Sequence, residues 1–308
     1  MPWMVARFVG FMEDDRGRSA PNGDARMSLR DVLVFLDSLP ASEERLRLAI
    51  RIARDHGAHL SAIFVRRDQE VLAAPGAAAR HGLVTQLMSG AGGTQRSADF
   101  TDGPEQRLRE CLRWCGSDSS WHDVDEHSSA SLIAFTRTAD LIVLGQNSRD
   151  LRPGPPWRPD EILLNCGCPV LMVPYAGAFT ELGRRVLVAW DGSREAARAL
   201  NDALPVIRSA TVVTVMMVRA RDKDLRRDRE ATQRVIRHLA RHDIPARADH
   251  PRRDGNAVSD MLLSAATDIS ADLIVAGAYH HSPLREALTG GVSRELLQHM
   301  TVPVLMSH

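Results

Sequence analysis

Apolar positions along the chain gather into short continuous runs, each followed by a stretch in which they recur at helical spacing. One run ends at Asp37 and another at Asp191. After the first, Leu46, Ala49, Ile50 and Ala53 fall at helical spacing, with Ser42 as the expected N-cap and Gly57 as the stop. After the second, Ser193 caps a run with Ala196, Ala197, Leu200, Ala203 and Leu204 that ends before Pro205. Strands are predicted next at 60–65 and 211–218, then helices near 105–115 and 229–241, and third helices near 130–138 and 258–266. The runs 141–144 and 273–276 are apolar throughout, as expected of strands covered on both faces in a parallel sheet. Strands at 170–173 and 304–306 close each half. Such alternation predicts an α/β doubly wound fold.

The pattern is written twice. Residues 30–37 (RDVLVFLD) return as 184–191 (RRVLVAWD), 139–145 (ADLIVLG) as 271–277 (ADLIVAG), and 168–172 (CPVLM) as 302–306 (VPVLM). Three blocks in the same order predict two tandem doubly wound open parallel-sheet domains, at 27–176 and 184–308, with Gly177 and Gly183 punctuating the linker. Asp37 and Asp191 lie 154 residues apart but Gly145 and Gly277 only 132, so the first copy carries 22 extra residues. Their expected place is 73–97, with Gly90-Ala91-Gly92-Gly93 as a tip, read either as a solvated excursion or as a lid or partner surface. The copies should form an intrachain pseudo-dimer seamed by their closing strands, with further dimerisation open.

Composition narrows the function classes. The 39 basic and 39 acidic residues balance, so no global field points to nucleic acid or an anionic membrane. No apolar run approaches the ~20 residues of a membrane helix, and residues 1–12 lack the form of a signal peptide. Residues 1–26 read as a flexible tail, with either Met1 or Met27 as the natural start. Cytoplasmic location is the expectation, and the cysteines, in pairs Cys111/Cys115 and Cys166/Cys168, are expected as free thiols. A single residue between Cys166 and Cys168 is too short a spacing for structural zinc, so no metal is expected.

In a doubly wound sheet, ligands bind beyond the carboxyl ends of the strands. After Gly277 the chain reaches Gly290-Gly291-Val292-Ser293 at the start of a helix, where exposed amides and the helix dipole suit an anion. The alternative is structural: a tight turn at the glycines and a plain N-cap at Ser293. His280, His281, His299 and His308 have no metal-ligand spacing, and Asp191-Gly192-Ser193 lacks a nucleophile elbow, so no catalytic residue is assigned. The basic run 219–229, interleaved with Asp222, Asp224 and Asp228, reads as a salt-bridged solvated face.

The second copy resembles the universal stress protein domain over nearly all of 184–308, and the first copy resembles it more weakly from 27 to about 175. ATP-binding members of that family carry Gly-x-x-Gly, nine residues, then Gly-Ser/Thr, with an acid after the first strand. The resemblance implies an adenine-nucleotide α-hydrolase-like fold and an ATP site in the second copy. Asp191 matches the adenosine-binding acid, Gly277 the first glycine, His280 the second, Gly290 the third and Gly291 the following serine, with Val292 and Ser293 at the helix start. Two of these depart from the pattern: His280 either obstructs the phosphate path or donates to phosphate, and Gly291 lacks a hydroxyl. The first copy has four prolines and the acids Asp160 and Glu161 where the cradle should be, and is expected to be structural, without nucleotide. The implied function is a stress-response binding or regulatory module with an adenine nucleotide and a protein partner. The rival readings are a slow ATPase or nucleotide hydrolase, and a nucleotide-free scaffold.

Overall fold

A computed structural model describes residues 28–66, 103–114, 118–125, 129–146, 157–218, 225–253, 255–278 and 291–308. The expected tail at 1–26 and the whole of the expected insertion, residues 73–97, therefore lie outside the described residues, as do 219–224 of the basic run.

The first half runs β1 (Asp31–Leu36), α1 (Ala41–His56), β2 (His59–Arg66), α2 (Pro104–Trp114), β3 (Ser119–Asp125), α3 (Ser129–Thr136), β4 (Leu141–Gly145), α4 (Pro159–Asn165) and β5 (Val170–Val173). The second repeats the series as β6 (Arg185–Ala189), α5 (Arg194–Ile207), β7 (Val212–Met216), α6 (Leu225–Ala240), β8 (Ala246–Asp249), α7 (Val258–Asp268), β9 (Leu273–Gly277), α8 (Val292–His299) and β10 (Val304–Ser307). All these strands join one ten-stranded sheet in the order β3-β2-β1-β4-β5-β10-β9-β6-β7-β8. Each half is a parallel 3-2-1-4-5 arrangement, so the doubly wound expectation holds.

The expected seam also holds, in a stronger form than two touching sheets. β5 and β10 pair antiparallel, with Val304 opposite Met172, Leu305 opposite Leu171 and Met306 opposite Val170. Among the described residues this is the one antiparallel pair in the sheet, and it makes the two halves a single hydrogen-bonded layer. Side chains alternate across the strands, so one core on each face runs through both halves: Leu171 and Leu305 enter one, Met172, Val304 and Met306 the other. Gln146 locks the join. Its buried amide donates to the Leu297 and Gln298 carbonyls at the end of α8, both at 3.0 Å, and its Oε1 accepts from the Tyr175 amide at 3.2 Å.

The repeated Ala-Asp-Leu-Ile-Val block has a structural cause. Asp140 accepts the amides of Arg30 and Asp31 at 2.7 and 3.0 Å, and Asp272 accepts those of Arg184 and Arg185 at 2.9 and 3.0 Å. Each carboxylate thus satisfies donors at the start of the neighbouring strand, which backbone pairing alone would leave open.

Two local expectations are corrected. Ser42 is not the cap of α1: the helix begins at Ala41, and the Ser42 hydroxyl instead donates to Asp37 Oδ1 at 2.6 Å. Pro205 does not end α5, which continues to Ile207. The carbonyl left without a donor there belongs to Asn201, on the exposed face, where water can serve it. Ser193 does cap α5, accepting from Ala196 N at 3.0 Å, and Gly57 does end α1, at φ +62°.

Candidate functional site: two equivalent clefts, one filled

The carboxyl ends of β1 and β4 in one half, and of β6 and β9 in the other, meet at the reversal of strand order. That crevice is where a doubly wound sheet has room for a ligand. The two clefts differ in what fills them.

In the first half, Asp37 is buried. Its Oδ1 accepts from Leu39 N at 2.9 Å and from the Ser42 hydroxyl, and lies 3.5 Å from Arg45 Nη2. Arg45 is itself only 3% exposed, and its Nη2 donates to Ser42 Oγ at 2.6 Å. The guanidinium carbon sits 5.0 Å from the ring centroid of Trp157, which in turn packs 5.8 Å from the ring of Phe35. A Cβ on Gly145 would come within 1.8 Å of Arg45 Nη1, so any side chain there would have to displace the guanidinium. Burial pulls the Arg45 pKa down, and the neighbouring Asp37 carboxylate opposes that by charge and hydrogen bonding. Among the described residues, Asp37 Oδ2, Arg45 Nε and Trp157 Nε1 are buried without a hydrogen-bond partner, so this cluster is not an optimised source of stability.

In the second half the equivalent positions are small. The offset that relates Asp37 to Asp191, 154 residues, places Ala189 at Phe35, Ala196 at Ser42 and Ala199 at Arg45. The offset that relates Val170 to Val304, 134 residues, places Gly291 at Trp157. Phenylalanine, arginine and tryptophan are thus exchanged for alanine, alanine and glycine.

Of the residues expected at a site, Asp191 stands exposed just past β6, its Oδ1 accepting from Ser193 N at 2.9 Å. Gly277 ends β9, on the adjacent strand. Its hydrogen has a structural use: a Cβ there would lie 2.5 Å from Ala196 N and 2.7 Å from the Glu195 carbonyl carbon, so Gly277 lets the first turn of α5 seat against the sheet. Gly291 is the N-cap of α8, with φ −65° and ψ 146°, which corrects the reading of Ser293 as cap. Val292 is 39% exposed and Ser293 is buried in the first turn. A crossover helix begins at the carboxyl edge of its sheet, so the first-turn amides of α8 point along the same edge as Asp191. Glu295 shares that turn and accepts from the buried Ser259 hydroxyl at 2.7 Å. His280 and Gly290 lie outside the described residues. Among the described residues no group of three or more His, Cys, Asp or Glu could hold a metal ion. No helix among them is long and apolar enough to cross a membrane.

Sequence reading missed Arg45 and Trp157. The signal was present in the offsets: superposing the halves at 154 and 134 residues pairs each with a small residue.

Comparison with known proteins agrees with this architecture. Residues 183–308 match the model of the universal stress protein family. A universal stress protein from Archaeoglobus fulgidus DSM 4304 has the same fold at a TM-score of 0.63 and 16% identity, covering 92% of this chain and 98% of its own. A protein of unknown function from Pseudomonas aeruginosa PAO1 matches at 0.57 and 17%, covering 92% and 94%. A universal stress protein in complex with cAMP matches over 41% of this chain and 96% of its own, at a TM-score of 0.34 and 21% identity. No curated protein sequence matches the chain. Residues 183–308 thus match the universal stress protein family, and the repeated 3-2-1-4-5 order gives the first half the same fold.

Proposed function

We propose that the second half binds an adenine nucleotide across Asp191, Gly277, Gly291, Val292 and Ser293, that the first half binds none, and that the chain is a stress-response binding or regulatory module. The observation that carries this reading is the exchange of Phe35, Arg45 and Trp157 for Ala189, Ala199 and Gly291. The first cleft is occupied by the protein's own cation and rings, while the second has lost all three. Asp191 offers an exposed carboxylate to a ribose or base donor, and the start of α8 offers amides and the positive end of its dipole to phosphate.

Asp191→Ala tests the assignment by calorimetric titration with ATP and AMP. A lost hydrogen bond to a charged group is worth ~1.5–3 kcal/mol, so affinity should fall about 10- to 150-fold. Equal affinity in parent and variant would remove Asp191 from the site. One observation favours a second reading, the nucleotide-free scaffold: Glu295 puts a carboxylate in the first turn of α8, which opposes a polyanion there. That reading predicts no heat with either nucleotide in the parent protein.

A further inference from the structure

A polar cluster of the first half stands at the amino edge of the sheet, opposite the carboxyl edge that holds both clefts. β2 and β3 are parallel neighbours that begin at His59 and Ser119, with Ser61 opposite Ser120. Side chains alternate along a strand, so His59 and Ser61 of β2 share one face of the sheet with Ser120 and His122 of β3. Asp118 Oδ2 lies 3.0 Å from His59 Nδ1. His59 Nε2 lies 3.1 Å from Ser120 Oγ, and Ser61 Oγ and His122 Nε2 lie 3.1 and 3.3 Å from that same oxygen. A carboxylate only accepts, so Nδ1 carries the ring proton and Nε2 accepts from the Ser120 hydroxyl. With its one proton given to His59, Ser120 Oγ accepts from Ser61 and from His122.

Stability does not explain this arrangement. The His59 side chain is 30% exposed and that of Asp118 85%, and a contact so open to water contributes little. Nor does the fold require it. Asp31 of β1 pairs with His59, and its equivalent Arg185 of β6 pairs with Val212, so Val212 and Thr214 take the places of His59 and Ser61 in the second half. By the same registers Pro245, Arg247 and Asp249 take those of Asp118, Ser120 and His122. A serine whose proton is accepted by an imidazole, itself held by a carboxylate, is the arrangement that turns a hydroxyl into a nucleophile.

We propose that this cluster hydrolyses short-chain carboxylic esters, with Ser120 as nucleophile, His59 as general base and Asp118 as the positioning residue that holds the His59 ring. Ser120 Oγ attacks the ester carbonyl carbon while His59 Nε2 takes the hydroxyl proton. The carbon–oxygen bond to the alcohol then breaks, and His59 returns the proton to the departing oxygen, leaving an acyl-serine. A water repeats the sequence: His59 takes its proton, the hydroxyl adds to the acyl carbon, and Ser120 leaves with the proton given back. One ester and one water become one acid and one alcohol. The Ser61 hydroxyl and His122 Nε2 donate to the carbonyl oxygen as it gains charge. The ring of Phe135 on α3, 5.5 Å from that of His122, gives a short acyl chain an apolar surface. A relay this open to water suits a small ester with a good leaving group, which needs no enclosing pocket.

Covalent mapping of the full chain tests this. The folded protein is incubated with a fluorophosphonate probe, which loses fluoride to an activated serine, and its peptides are mapped by mass spectrometry. The adduct should sit on Ser120, and the same protein should turn over p-nitrophenyl acetate. Ser120→Ala should keep the parent's circular dichroism spectrum and lose both properties. His59→Gln should slow labelling of Ser120 at least about 100-fold, the lower end of what a positioned general base contributes. Asp118→Asn should lower kcat and leave KM unchanged, a split that a loss of local structure would not give. No adduct on Ser120 in the parent protein, an equal labelling rate in His59→Gln, or an equal kcat in Asp118→Asn would overturn the proposal. The parent map decides even if a variant fails to fold.

Discussion

Replacing Asp37 with alanine should destabilise the protein by about 3–5 kcal/mol, the usual cost of leaving one partner of a buried ion pair uncompensated. Arg45 is the partner. It is 3% exposed, 3.5 Å from Asp37 and 5.0 Å from the centroid of the Trp157 ring. The carboxylate also holds the Ser42 hydroxyl and the Leu39 amide, so the start of α1 loses two further contacts. Urea unfolding monitored by circular dichroism checks the magnitude. The double variant Asp37→Ala, Arg45→Met identifies the cause. Buried ion pairs replaced by apolar groups of similar volume are often neutral, so most of the loss should be recovered. If the double variant is as unstable as Asp37→Ala, the cost lies in the lost α1 contacts rather than in the stranded arginine.

The second large effect is expected from moving the plug. Ala199→Arg with Gly291→Trp rebuilds in the second half the arginine and tryptophan that fill the first. Asp191 stands where Asp37 does and can pair with the new guanidinium, and Gly291 has φ −65°, a backbone any residue adopts. The variant should fold with the parent's circular dichroism spectrum and lose ATP affinity by at least about 100-fold, equivalent to ~2.7 kcal/mol. Equilibrium dialysis with labelled ATP reads this directly. Binding that survives both substitutions would place the nucleotide away from the cleft between β6 and β9.

Much of the fold was legible because the chain repeats itself. Continuous apolar runs identified the buried parallel strands, and the matched closing segments located the β5–β10 seam. The repeated aspartates of the Ala-Asp-Leu-Ile-Val block could be seen but not explained, since their partners are backbone amides at the start of another strand. The site was less legible. Gly277 matched a phosphate-binding pattern, yet its lack of a Cβ is already required by the approach of Ala196. Arg45 escaped notice because a charged residue in an amphipathic helix normally faces solvent. Only the combination of Asp37, Gly145 and Trp157 in space makes room for it inside. Ser42 was misplaced for the same reason, its hydroxyl being drawn inward by Asp37.

We propose that the two equivalent clefts have diverged, one filled by the chain itself and one left for an adenine nucleotide. Native mass spectrometry of the full chain, titrated with ATP, counts bound nucleotide most directly. One nucleotide per chain in the parent protein, and none in Ala199→Arg with Gly291→Trp, is the predicted result. Two nucleotides per chain, or none in the parent at saturating ATP, would contradict it.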